Sequence, residues 1–106
     1  MLGQAAVDVF RDRYEIYPAS LDEPDIRDAA LIAAEIRNAR PAYVLHFAAM
    51  TDVDACELDP ASARAVNVEG TRNVARAARD CGAVLVYIGT GMVYDGRKET
   101  PYIETD

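Results

Sequence analysis

The sequence predicts an α/β fold, a parallel sheet with flanking helices, and three observations carry the prediction. The first is a continuous apolar run, Ala42-Tyr43-Val44-Leu45-His46-Phe47, which follows Pro41. It is too short for an ordinary helix and rich in aromatic and branched residues. The second is a similar run from Ala83 to Ile88, ending on Gly89-Thr90-Gly91. The third lies between them: from Pro60 to Gly82, small or apolar residues at Ala63, Val66, Gly70, Val74 and Ala77 give the period and length of a crossover helix. Strands alternating with helices of this length make parallel βαβ units, the first run being expected to be buried on both faces and the second to be a buried strand as well.

In chain order, residues 2–13 place Leu2, Ala6, Val9 and Phe10 three and four apart, which predicts an amphipathic helix starting almost at the first residue. Tyr14 to Ala19 reads as a short strand, which Pro18 pushes toward a sheet edge or strand end. Ser20 to Pro24 reads as a loop. Asp25-Ile26-Arg27-Asp28 starts a second helix with acids at the positive end of its dipole, and Ala29, Ile32, Ala33 and Ile36 form its buried stripe. Asn38 to Pro41 ends it, and Thr51 to Leu58 forms a short helical turn. Asp59 caps the long helix, Pro60 suits its first turn, and Gly82 is its natural C-terminal cap. From Tyr94 the tail is polar, with Asp95-Gly96 the clearest turn signal. The order helix, strand, helix, strand, helix, strand starts in the middle of a βαβ unit and lacks a first strand.

A chain of 106 residues builds one small domain with a single core, and 51% hydrophobic with 27% charged residues is an ordinary globular composition. The net charge of -7, with acids spread along the chain, argues against nucleic acid or an anionic membrane surface as partner. No apolar run approaches the length of a membrane span, and the amino terminus lacks the basic-then-apolar pattern of a signal peptide. Cys56 and Cys81 form no CxxC pair, and one His leaves no zinc-ligand spacing, so the thiols read as buried and free and no metal is expected. A reducing cytoplasmic setting follows.

The candidate site lies where the first run stops on Ala48, Ala49 and Met50. Small side chains at the carboxyl end of a parallel strand let a ligand lie against the backbone, and open α/β sheets place their ligands there. His46, mid-strand among apolar residues, reads as a hydrogen-bonded core histidine. On residue type alone Asp25 reads as a helix cap, Asn67 as a satisfied polar group between helix and sheet, and Thr90 as a structural hydroxyl.

With these residues in view the chain resembles the extended short-chain dehydrogenase/reductase superfamily, most closely its dTDP-4-dehydrorhamnose reductase branch. Met1-Leu2-Gly3-Gln4 matches the end of that family's glycine-rich turn, and Pro24-Asp25-Ile26-Arg27-Asp28 its Leu-Asp-Ile-x-Asp element. Ala48 to Asp54 matches Ala-Ala-x-Thr-x-Val-Asp, Val66-Asn67-Val68-Glu69-Gly70 matches Val-Asn-x-x-Gly, and Gly89 to Gly96 corresponds to Ser-Thr-Asp-Tyr-Val-Phe-Asp-Gly. The resemblance implies a Rossmann-like sheet, incomplete here because the first strand and the C-terminal substrate lobe lie outside the chain. It implies NADP or NAD as cofactor and a nucleotide-sugar substrate, and leaves a homo-oligomer open.

By the same resemblance, Met1, Leu2 and Gly3 stand beside the cofactor pyrophosphate, and Gly3 lets its helix pack closely on the strand. Asp25 accepts a hydrogen bond from the adenine amino group while Ile26 packs on the ring. Ala48, Ala49 and Met50 line the nicotinamide-side ribose, and Asn67 holds backbone and water near it. Thr90 is the hydroxyl that, with a downstream tyrosine and lysine, orients the substrate carbonyl. The chain departs from the pattern in four respects. The opening glycines of the phosphate turn are absent, and so is a Tyr-x-x-x-Lys pair, Tyr94 and Lys98 being a coincidence of spacing in a loop. Gly91-Met92 replaces the Asp-Tyr that follows the family's threonine, and Met92-Val93-Tyr94 leans toward nucleotide-sugar epimerases and dehydratases. No acid ends the strand near Ala19-Ser20 to read a ribose, which leans toward NADP. The expectation is part of a 4-keto-sugar-nucleotide reductase, this chain alone being inactive. The alternatives are a non-catalytic dinucleotide-binding or regulatory module, an inactive remnant, or an epimerase or dehydratase.

Overall fold

The computed structural model describes residues 2–19 and 24–106. Helix α1 (Leu2–Phe10) is followed by α2 (Ala29–Ala39), strand β1 (Tyr43–His46), α3 (Val53–Leu58), α4 (Pro60–Arg64), α5 (Thr71–Asp80) and strand β2 (Val84–Tyr87). A single 3-10 turn, Gly91–Val93, follows β2. Residues Ala65–Gly70 join α4 to α5 as a π-helical turn, so the stretch predicted as one crossover helix is one helix with a wider turn inside it. Its ends are as expected: Asp59 accepts from the Ser62 amide at its start. At its end Gly82 takes φ +72, and Gly82 and Ala83 donate back to the carbonyls of Arg79 and Ala78. That is a Schellman cap, and only glycine adopts its left-handed position without strain.

β1 and β2 pair in parallel, Tyr43 opposite Val84 through His46 opposite Tyr87. Side chains alternate, so Val44 and Leu85 face the helices and join the core of Ile32, Val74 and Ala77 with Ile36 of α2. Tyr43, Leu45, Val84 and Val86 occupy the opposite face and are exposed. The expectation of burial on both faces is therefore wrong. Continuous apolar runs show what a strand could bury on each side, and among the described residues only one side carries a helical layer.

The strand expected at Tyr14–Ala19 is also absent, and this stretch is irregular. A strand exists by pairing, and no other strand among the described residues lies beside it. The predicted loop at 20–24 falls, except for Pro24, outside the described residues. α1 stops at Phe10 in a turn closed by Tyr14, and its apolar stripe is exposed, with Leu2 at 58% and Val9 at 68%. Cys56 is half-buried and Cys81 exposed, so the second thiol departs from the buried reading. No helix among the described residues is long and apolar enough to cross a membrane.

Candidate functional site

β1 ends at His46, and the chain leaves the sheet through Phe47, Ala48 and Ala49 to Met50. Both alanines are exposed, and Met50 is half-buried. Across the loop, Asn67 uses both ends of its amide on one residue: Oδ1 accepts from Met50 N at 2.8 Å and Nδ2 donates to Met50 O at 3.0 Å. The Cys56 thiol donates to the same carbonyl at 3.5 Å. This two-point clamp fixes the path of the strand end, and the π turn presents the asparagine that makes it. π turns inside α-helices are frequent at functional sites. Asn67 is thus the satisfied polar group its residue type suggests, with the backbone beside the strand end as its partner.

Gly3 of α1, Asp25 and Ile26 border the same groove, a broad and open one that nearly half the chain lines. A Cβ built on Gly3 would meet the Phe47 ring, just beyond β1, at 3.6 Å, an ordinary contact that does not demand glycine. Met1 lies outside the described residues, and Leu2 is exposed at the start of α1.

Asp28, not Asp25, caps α2, its Oδ1 accepting from the Ala30 and Leu31 amides at 3.0 and 2.9 Å. Asp25 closes the turn before it. Its carboxylate accepts from the Arg27 amide at 2.9 Å and takes the Arg27 guanidinium on both oxygens, with Nη2 2.6 Å away. These bonds lower its pKa to about 2. Asp25 therefore stays an acceptor-only carboxylate across the physiological range, as recognition of an amino group requires. Ile26 turns its side chain toward the crossover helix, where a Cβ on Gly70 would lie 2.6 Å from its Cγ1 and Cδ1. Only the remaining side of Ile26 is free to face a ring.

Asn73, whose role no local sequence pattern signals, donates from Nδ2 to the carbonyls of Ile26 and Arg27 at 3.0 and 3.2 Å. One helix thus anchors both loops of the groove. His46 is 4% exposed and its Nε2 lies 3.0 Å from Thr71 Oγ1, with Tyr87 stacked obliquely beside it. Burial holds its pKa below the ordinary imidazole value. It is the core histidine that its setting in the sequence predicts.

Thr90 is exposed at the end of β2 and its Oγ1 accepts from Met92 N at 3.2 Å. Serving as acceptor leaves the hydroxyl proton free to donate outward. Beyond it the Tyr94 and Tyr102 rings stack at 4.2 Å, Tyr102 donates to Asp95 at 2.9 Å, and Lys98 pairs with Asp106. Lys98 and Tyr94 therefore make no acid–base pair, and their spacing carries no chemistry. Among the described residues no cluster of His, Cys, Asp or Glu is placed to hold a metal.

Parallel strands joined through a long helix, with a groove at their carboxyl ends flanked by the start of one helix and an acidic turn, define a Rossmann-like α/β protein. The comparisons narrow this. The family model described as the RmlD substrate binding domain matches residues 1–106, and the chain belongs to that family. A dTDP-4-dehydrorhamnose reductase of Burkholderia thailandensis is 39% identical over 92 residues, covering 87% of this chain and 31% of that protein. One from Streptomyces griseus is 45% identical over 80 residues, 76% of this chain and 26% of that protein. Among solved structures, a dTDP-4-dehydrorhamnose reductase from Clostridium acetobutylicum superposes with TM-score 0.92 at 31% identity, covering 99% of this chain and 38% of that one. Another, from Bacillus anthracis in complex with NADP, gives TM-score 0.79 at 36% identity over 84% of this chain and 32% of that one. The chain spans about a third of the length of these relatives. The Rossmann-like fold and the reductase branch expected from the motifs are thereby established, despite Gly91-Met92 in place of Asp-Tyr.

Proposed function

We propose that this chain forms the cofactor-binding part of a cytoplasmic NADP-dependent reductase acting on a nucleotide-linked 4-keto sugar. The observation that carries the reading is the groove itself: one helix pins the small-residue end of β1 through Asn67 and the acidic turn at Asp25 through Asn73. The residues present fit a dinucleotide. Ala48 and Ala49 leave room at the strand end, and the ionised Asp25 suits an adenine amino donor once Arg27 shares its oxygens. NADP in its reduced form would supply a hydride to the keto carbon. Thr90 holds the keto oxygen by donating its free hydroxyl proton as a hydrogen bond, and Met50, fixed by Asn67, bounds the pocket beside it. The proton that completes reduction to the alcohol comes from an acid outside these residues.

The test starts with the intact mass of the native gene product, followed by NADPH oxidation with a dTDP-4-keto sugar. A product about three times the length of this chain, oxidising NADPH only when the keto sugar is present, supports the reading. An intact product that binds NADPH but reduces no keto sugar nucleotide overturns it in favour of a non-catalytic module.

A further inference from the structure

We infer that Asn73 is a positioning residue for the adenine half of the dinucleotide site, an assignment that rests on the function proposed above. The turn from Pro24 to Asp28 is closed from within: Asp28 N donates to Asp25 O at 3.0 Å, and Asp25 holds Arg27. Such bonds fix the shape of the turn but not its place in the molecule. Besides the packing of Ile26, its place is set by hydrogen bonds from Asn73, 47 residues from Ile26 and 46 from Arg27 in sequence, whose amide nitrogen donates to those two carbonyls. The anchored carbonyls are those of the two residues that follow Asp25, so a shift of the turn carries the carboxylate with it.

The helix that carries Asn73 also holds Met50 through Asn67 and receives Ile26 against Gly70. A rigid helix with an anchor to each loop sets the spacing between the two ends of the groove. Removing Asn73 leaves one end held by the packing of Ile26 alone and the other still pinned by its hydrogen bonds. The chemistry of the two ends therefore separates: the adenine end loses affinity and the nicotinamide end does not.

The experiment measures the affinity of the intact gene product for ADP and for nicotinamide mononucleotide, in the wild type, Asn73→Ala and Asn73→Ser. Asn73→Ala weakens ADP binding roughly tenfold, the scale of one or two neutral hydrogen bonds, and changes nicotinamide mononucleotide binding by less than about twofold. Asn73→Ser, which keeps one donor, recovers part of the ADP affinity. Hydrogen exchange at residues 25–28 quickens in Asn73→Ala while that at residues 50–52 is unchanged. Equal binding of ADP by wild type and Asn73→Ala overturns the assignment, and so does equal weakening of both probes, which marks a general structural role. Should Asn73→Ala not fold, the serine variant gives the same split at smaller size, and its absence there also overturns the assignment. A wild-type product that binds neither probe removes the functional reading and this assignment with it.

Discussion

Gly70 is where the packing of this domain can be tested most sharply. It is buried in the crossover helix at φ -59, a backbone that alanine adopts freely. Propensity alone makes Gly70→Ala stabilising by about 0.8–1 kcal/mol. Against this stands Ile26, with Cγ1 and Cδ1 2.6 Å from the position of the new methyl and Cβ 3.4 Å away. Carbon atoms rest about 3.5–4.0 Å apart, so the isoleucine must retreat by about 1 Å. Its branched Cβ allows few other rotamers, and overpacking of this kind costs about 1–3 kcal/mol. Gly70→Ala is therefore expected to destabilise by up to about 2 kcal/mol net. In an Ile26→Ala background the clash is gone and the same change stabilises by about 0.8–1 kcal/mol. Urea denaturation of the four proteins in the cycle gives the coupling directly. A Gly70→Ala protein more stable than the wild type, or a cycle with no coupling, refutes the argument.

Three further outcomes follow from the geometry. Asn67→Ala leaves the Met50 amide without its partner and the Met50 carbonyl with the Cys56 thiol alone, lowering stability by about 1–2 kcal/mol in denaturation and weakening nicotinamide mononucleotide more than ADP; unchanged affinity for both denies the clamp its role. Asp25 is ionised far into acid, so an NMR titration of its carboxyl carbon has a midpoint near 2, moving up toward the ordinary value near 4 in Arg27→Gln. A midpoint unmoved by that change excludes Arg27 as the cause. His46 is held neutral by burial, so below about pH 6.5 the unfolded chain takes up a proton that the folded chain refuses. Stability is then full above that value and falls as pH drops through the window toward the folded-state pKa. Denaturation midpoints at about pH 7.5 and pH 5.5 measure the loss, which shrinks in His46→Gln.

What could be read from the residues was what the chain states locally. The runs at Tyr43 and Val84, the Asp59-Pro60 start and the Gly82 stop each carry their signal within a few residues, and each is where it was expected. Tyr14–Ala19 has the composition of a strand, but a strand needs a neighbour, and composition does not supply one. The continuous apolar runs likewise state what could be covered, not what is. The π turn is a shift of one residue in helical register, and the spacing of Ala63, Val66, Gly70 and Val74 fits it as well as it fits an unbroken helix. Asn73 was illegible because its partners are more than 40 residues away. The one hint was an amide three residues beyond a glycine in an apolar stripe, facing the same neighbour.

The turn at Ala65–Gly70 also bears on which length changes the domain can absorb. It accommodates one residue more than an α-helical turn, and each residue in an α-helix advances the side-chain direction by about 100°. Deleting one residue there would let the helix close into uninterrupted α form, with Thr71–Asp80 still seated on the sheet and α2. Asn67 would then point about 100° away from Met50 while Asn73 still held Ile26. The two anchors are in phase only at the present length, so a change of one residue in these six is expected to break one of them.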